Sequence, residues 1–255
     1  MRPQAHDTKR VHLRIHAHAQ GLWPERYRMR TSVAWPHSQA HVRAHSLRST
    51  RLLPLARQPA LPRGRYYSLD VGAVHLLGIN TESPLDVAEV DETQREWIAE
   101  DLRRAATSTA RRWTIAFGHR PLYTTEHRAS KRGTGYLQAQ LEDMFVASGV
   151  DLVVQGHVHA YQRTLPVARG VPTAKDYQSP RAPVYIVNGG AGNREANEVL
   201  PMGLPWEPAP NASAGELPLS NEISFGISTI SADGIRWEQL YSSNGTRFDH
   251  FHIAK

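Results

Sequence analysis

Cysteine is absent from the chain, which removes disulfide frameworks, thiolate metal sites and a cysteine nucleophile together. Any metal ion must then be held by His, Asp, Glu, Asn or Tyr. Long apolar runs are absent too: none is long enough to cross a bilayer, and Met1 to Asp7 lack the apolar stretch of a secretory signal. Compartment and oligomeric state are therefore left open. Asn211-Ala212-Ser213 and Asn244-Gly245-Thr246 fit the N-glycosylation acceptor pattern, which has meaning only for a glycoprotein of the secretory pathway.

A formal charge of +6 suggests an anion or nucleic-acid binder until it is divided along the chain. Residues 1 to 65 hold 13 Lys and Arg against 2 Asp and Glu, and the rest holds 17 against 22. The basicity belongs to one end, and the body is mildly acidic. The first 62 residues also carry seven of the fourteen histidines and only three aromatic residues. No stretch of them holds helical or alternating periodicity for long, so residues 1–62 are expected to be irregular. His16-Ala17-His18 has the spacing of a ligand pair, but a segment this rich in His and Arg reads first as a solvated basic tail. A nucleic-acid arm would need aromatic residues between the charges as stacking surfaces, so no specific nucleic acid is expected. A misassigned reading frame is the remaining alternative.

The folded part is expected to start near Arg65, giving a division into residues 1–62 and 63–255. Tyr66 to Asp70 and Val74 to Ile79 are β-rich runs joined as in a hairpin. Asp91 can cap a helix in which Trp97, Ile98, Leu102 and Ala105 recur at helical spacing. Trp113 to Phe117 reads as a buried strand, and Leu137, Leu141, Met144 and Phe145 mark a helix from about Thr134 to Ser148. Val150 to Val154 and Pro183 to Val187 are further buried strands, so strand, helix, strand predicts a parallel sheet. Phe225 to Ser231, Ile235 to Ser242 and Phe248 to Ile253, separated by Asp-Gly and Asn-Gly turns, read as an antiparallel meander. The fold class is α/β or α+β.

His119 follows one buried strand, and His157 and His159 follow the next. Ligands of open α/β sheets bind at the carboxyl ends of strands. Residues two apart in an extended segment point the same way, so His157 and His159 are expected to face one point, with Gly156 turning the backbone into the site. Neutral imidazoles bind divalent zinc, iron and manganese, and a bound ion both activates water and clamps a phosphoryl oxygen. Spacing alone does not choose phosphate-ester hydrolysis over another metal-dependent hydrolysis.

Three segments resemble the purple acid phosphatases in the order the family has them. They are Phe117-Gly-His-Arg-Pro-Leu-Tyr123, Val150-Asp-Leu-Val-Val-Gln-Gly-His-Val-His-Ala-Tyr-Gln-Arg163, and Pro183-Val-Tyr-Ile-Val-Asn-Gly-Gly190. Tyr66 to His75 and the helix with Gln94 and Trp97 extend the likeness over about residues 64 to 255. The resemblance implies a metallophosphoesterase β-sandwich flanked by helices, with a site for iron and a divalent zinc, manganese or second iron. It implies His119 and His157 as ligands of the divalent metal and His159 as a ligand of the ferric ion. It also implies His127 as the residue contacting the phosphate or protonating the leaving group, a plain loop histidine being the alternative. The substrate would be a small phosphate monoester, attacked at phosphorus by a metal-bound hydroxide. The family's secreted, vacuolar or lysosomal setting has no signal in this chain.

Gln162 stands where the family usually has Glu, and the chain holds no Gly-Asp dipeptide at all. The family's Gly-Asp-x-Gly, Gly-Asp-x-x-Tyr and Gly-Asn-His-Glu segments, which carry its carboxylates, tyrosinate and asparagine, have no counterpart. Three imidazoles without carboxylates leave two ions poorly neutralised. The expectation is an acid phosphatase-like domain that is incomplete, with a binuclear site lacking part of its ligands and little turnover. The alternative is a non-catalytic remnant that binds a metal or a partner.

Overall fold

The computed structural model describes residues 66–82, 89–124, 134–192 and 219–255, together with the backbone of two strands at 11–18 and 39–45. In chain order the strands are β1 (Val11–His18), β2 (Gln39–His45), β3 (Tyr67–Val71), β4 (Val74–Gly78), β5 (Trp113–Phe117), β6 (Leu152–Gln155) and β7 (Tyr161–Arg163). They continue with β8 (Val167–Ala168), β9 (Val171–Pro172), β10 (Val184–Asn188), β11 (Leu219–Ser220), β12 (Ser224–Ile230), β13 (Gly234–Tyr241) and β14 (Arg247–Ala254). Helix α1 spans Glu92–Ala106, and a second helical segment runs through α2 (Gly135–Leu137), a π-helical stretch (Gln138–Glu142) and α3 (Asp143–Ala147). None of the described helices is long and apolar enough to cross a membrane.

A seven-stranded sheet has the order β11-β7-β10-β6-β5-β4-β3, with β4, β5, β6 and β10 parallel to one another. The β3–β4 hairpin forms one edge, and β7 and β11 add antiparallel at the other. A five-stranded antiparallel sheet, β14-β13-β12-β1-β2, packs against it, and β8 and β9 form a small separate hairpin. The two-residue period of a strand explains the layers. Ile115 and Phe117 of β5, Leu152 and Val154 of β6, and Val184 and Ile186 of β10 join Ile235, Trp237, Phe251 and Ile253 of the second sheet in one core. Their alternates Ala116, Val153 and Tyr185 join Ile98 and Leu102 of α1 and Leu137, Leu141 and Phe145 of the second helical segment in another. The central strands are thus apolar on both faces, as strands covered on both sides must be.

Local chemistry sets where the helices begin and end. The Asp91 carboxylate accepts the Gln94 backbone N–H at 2.8 Å and caps α1, Glu92 lies in its first turn, and Arg103 and Arg104 lie in its last. Gly149, at φ +65°, closes the second helical segment: its N–H reaches the Val146 carbonyl and that of Val150 reaches Phe145. The helix expected from Thr134 to Ser148 is present but contains the π-helical stretch, which period reading does not reveal.

The expected irregularity of residues 1–62 is corrected at two segments. β1 pairs antiparallel with β12 and with β2, matching His12 to Thr229 and to His45. Val11, Leu13, Ile15 and Ala17 alternate with polar residues over eight positions, as do Ala40, Val42 and Ala44 over seven. That alternation is a strand signal despite the basic composition. The other residues of 1–62 lie outside the described ones.

Candidate functional site

Beyond the carboxyl ends of β4, β5 and β6 three connections run side by side, stitched by backbone hydrogen bonds. Ile79 N–H donates to Phe117 O at 2.9 Å, Gly118 N–H to Val154 O at 3.2 Å, and Gly156 N–H to His119 O at 2.8 Å. Two buried polar side chains hold the turns between them. Thr81 Oγ1 accepts from the backbone N–H groups of His119 (3.2 Å) and Arg120 (2.7 Å). The Gln155 amide accepts from Leu122 N–H at 2.9 Å and donates to the Arg120 carbonyl. Because each satisfies backbone groups that no strand partner reaches, these side chains set the path of the loop that carries His119.

The segment after β6 is not extended. Val158 N–H donates to Gly156 O and Ala160 N–H to Val158 O, both at 2.8 Å, so two three-residue turns follow one another with His157 and His159 at their centres. His157 itself takes φ +65°, and Gly156 is not among the glycines with positive φ. The sharp turn expected of Gly156 is therefore made by His157, a side-chain-bearing residue in a strained conformation that persists only where its surroundings demand it. Gly189, after β10, supports it from below: a Cβ there would lie 2.1 Å from Val158 O.

This backbone brings two of the expected imidazoles together. His157 Nδ1 lies 3.2 Å from His119 Nε2, with ring centroids 5.0 Å apart at 76°. All three histidines are half-buried. His159 sits at the centre of the second of the two tight turns, two residues further along. Among the described residues no third His, Asp or Glu completes a set able to hold an ion. His127 lies outside the described residues.

Arg120 is the charged neighbour that histidine spacing alone does not reveal. Its buried guanidinium is held by Glu82, Nε standing 2.9 and 3.1 Å from the two carboxylate oxygens, and its Nη1 is 3.4 Å from His157 Nε2. Three carboxylates of the described residues are engaged with other side chains. Glu82 binds Arg120, while Asp70 binds His75 at 2.7 Å. Asp151 precedes β6, at the strand end opposite the histidines, accepting from Thr114 N–H (2.9 Å) and pairing with Lys255 (2.6 Å). Burial pushes the Asp151 carboxyl up despite Lys255 and the Thr114 N–H. Gln162, the residue in the place of Glu, is buried on β7 and donates to Thr124 Oγ1 at 3.1 Å.

Comparison with known proteins shows what the chain is similar to. The family model "Calcineurin-like phosphoesterase" matches residues 17–161, beginning inside the basic segment, and "Iron/zinc purple acid phosphatase-like protein C" matches residues 182–250. Acid phosphatase type 7 of Homo sapiens is 32% identical over 158 residues, covering 54% of this chain and 35% of its own length. That of Danio rerio is 29% identical over 201 residues, covering 69% and 45%. The chain thus spans less than half the length of these relatives. A purple acid phosphatase from yellow lupin (Lupinus luteus) seeds superposes with a TM-score of 0.58 at 25% identity, over 77% of this chain and 34% of that one.

Proposed function

Because the chain belongs to the calcineurin-like phosphoesterases, in their purple acid phosphatase group, we propose that His119 and His157 hold one divalent ion of a phosphate-monoester hydrolase site. The observation that supports this is the 3.2 Å between His157 Nδ1 and His119 Nε2. Two nitrogens each ~2.0–2.1 Å from one tetrahedral ion stand about 3.3 Å apart, so the two rings fit a shared ion with little movement. The family implies a second, ferric ion, and for that the described residues do not fit. His159 would be its one nitrogen ligand, and among the described residues no carboxylate completes a set with it to offset the charge.

When bound, a divalent ion supplies Lewis acidity toward a phosphoryl oxygen. The chain's own residues do the positioning. Thr81 and Gln155 hold the His119–Leu122 loop, Gly189 and the turn at Gly156–Ala160 hold His157, and Glu82 keeps the Arg120 guanidinium beside the imidazole pair. His127 is the residue we assign to the phosphate or its leaving group. A metal- or partner-binding role without hydrolysis is the second reading, favoured by the absence, among the described residues, of a carboxylate completing a set with the histidines.

Calorimetric titration of the chain with zinc or manganese(II) should show a single weak site that is lost in His119→Ala and in His157→Ala. Turnover of phenyl phosphate at acidic pH should be low or absent. Absence of any histidine-dependent ion binding removes the site. Robust turnover abolished by His157→Ala would instead show that residues beyond those described complete a two-ion centre.

A further inference from the structure

At the amino end of β4, away from the histidine pair, His75 is buried between two carboxylates on two different elements. Its Nδ1 lies 2.7 Å from Asp70 Oδ1 of β3, and its Nε2 lies 2.9 Å from Asp101 Oδ2 of α1. Ionised carboxylates only accept hydrogen bonds, so both contacts are satisfied together only when both ring nitrogens carry protons, that is, by imidazolium. Around them, Ser68 of β3 donates to Asp101 at 2.8 Å and Arg104 of α1 reaches it at 3.2 Å. On β5, Thr114 stands opposite His75 in register and carries the guanidinium of Arg111.

We propose that His75 is an acid-locked clamp: its imidazolium ties the β3–β4 hairpin to α1, and loss of its proton releases one of the two ties. Its consequence at the histidine pair, which rests on the proposed function, runs through α1. The Gln94 side chain on the first turn of α1 accepts from Asn80 N–H at 2.7 Å and donates to Asn80 O at 2.9 Å. Asn80 precedes Thr81, whose hydroxyl receives the His119 and Arg120 N–H groups. The clamp therefore steadies the helix whose other end steadies the His119 loop.

The titration behaviour agrees with this geometry. Burial by itself favours the neutral His75 ring, but the hydrogen bonds to Asp101 and Asp70 and their charges outweigh it and hold the group above its ordinary value. Burial would raise Asp101, yet the hydrogen bonds from His75 and Ser68 hold it below the usual carboxylate range. A group held up in the fold adds stability fully present below its unfolded value of about 6.5, and that stability is lost as pH rises through the folded value. A depressed carboxyl adds stability above about 3.9, and this is lost as pH falls through its folded value. The clamp is therefore strongest in the mildly acidic range and weakens toward alkaline pH.

Long-range proton–nitrogen NMR of the isotope-labelled full chain tests this without metal or substrate. Both His75 nitrogens should be protonated at mildly acidic pH, with a titration midpoint above about 6.5, and Asp70→Asn should lower that midpoint. Amide exchange, corrected for its intrinsic pH dependence, should show α1 losing protection above the midpoint in the native chain, and no such step in His75→Gln. A bare ring nitrogen at acidic pH, a midpoint at or below about 6.5, or no response to Asp70→Asn overturns the clamp. Should His75→Gln fail to fold, the native chain and Asp70→Asn still decide. Metal titration reads the histidine pair separately, so failure of one proposal is distinguishable from failure of the other.

Discussion

At position 189 the backbone admits nothing larger than hydrogen, because a Cβ would lie 2.1 Å from Val158 O and 2.9 Å from its carbonyl carbon. Those atoms belong to the turns that fix His157, so the obstacle is backbone and cannot rotate away. Gly189→Ala should therefore push the Gly156–Ala160 segment outward, costing roughly 1–3 kcal/mol as overpacking does and weakening zinc binding. Gly135, with open space around its Cβ position and a helical place, is the control. Gly135→Ala should stabilise by about 0.5–1 kcal/mol and leave zinc affinity unchanged. Urea unfolding and zinc titration of both variants check the pair, and equal behaviour would separate Gly189 from the site. That a glycine is required here was not legible in the sequence, since the chain carries 18 glycines and only the approach of another strand's loop distinguishes this one.

The helices act as struts, and α1 carries two polar contacts with different consequences. Asp91 caps its first turn, so Asp91→Ala should cost about 1 kcal/mol of stability and little ion affinity. Gln94, 1% exposed, holds both backbone groups of Asn80 beside the site loops. Gln94→Leu should leave these half-buried groups without the Gln94 amide, costing about 1–3 kcal/mol and lowering zinc affinity as well. Comparing zinc titration with denaturant midpoint separates the two; if Gln94→Leu keeps native zinc affinity, the strut does not reach the site. The π-helical stretch has a similar local use. It brings Glu142 to accept the Tyr123 hydroxyl and the Arg169 N–H, which ties the loop after His119 to the β8–β9 turn. Burial and the bond to Glu142 hold the Tyr123 hydroxyl well above its ordinary value, so it stays a neutral donor. Apolar spacing showed both helical segments because burial of one face repeats along them. It did not show the π turn, which leaves that spacing nearly unchanged.

Among the described residues the two sheets are joined by apolar packing and by a buried charged cluster on β7 and β14. Arg163 of β7 meets Asp249 of β14 through two bonds of 2.9 Å, and Tyr161 donates to the same carboxylate at 2.5 Å. Arg163 also stacks over Tyr177 and Phe251. Asp249→Ala leaves the guanidinium buried and unpaired, an expected loss of about 3–5 kcal/mol, whereas Asp249→Leu combined with Arg163→Met should lose much less. Chemical denaturation of both checks this. Equal losses would mean that the pair acts through packing rather than charge. β7 starts two residues after His159, so the bridge also anchors the strand that leaves the histidine turns.

By itself the sequence determined the strands of the seven-stranded sheet from β3 to β10 that carry buried runs, the meander of β12 to β14, the Asp91 cap and the helical faces. These follow from periodicity and from hydrogen bonds a few residues long. It also determined that His119 and His157 follow neighbouring strands, and so could meet. It did not reveal β1 and β2, whose alternation was masked by a composition rich in His and Arg. Only the tertiary structure decided that His157 turns at positive φ. Only the tertiary structure engaged Glu82, Asp70 and Asp151 with Arg120, His75 and Lys255. Those outcomes depend on contacts between residues tens of positions apart, where sheet register and loop approach set the geometry and no local pattern records it.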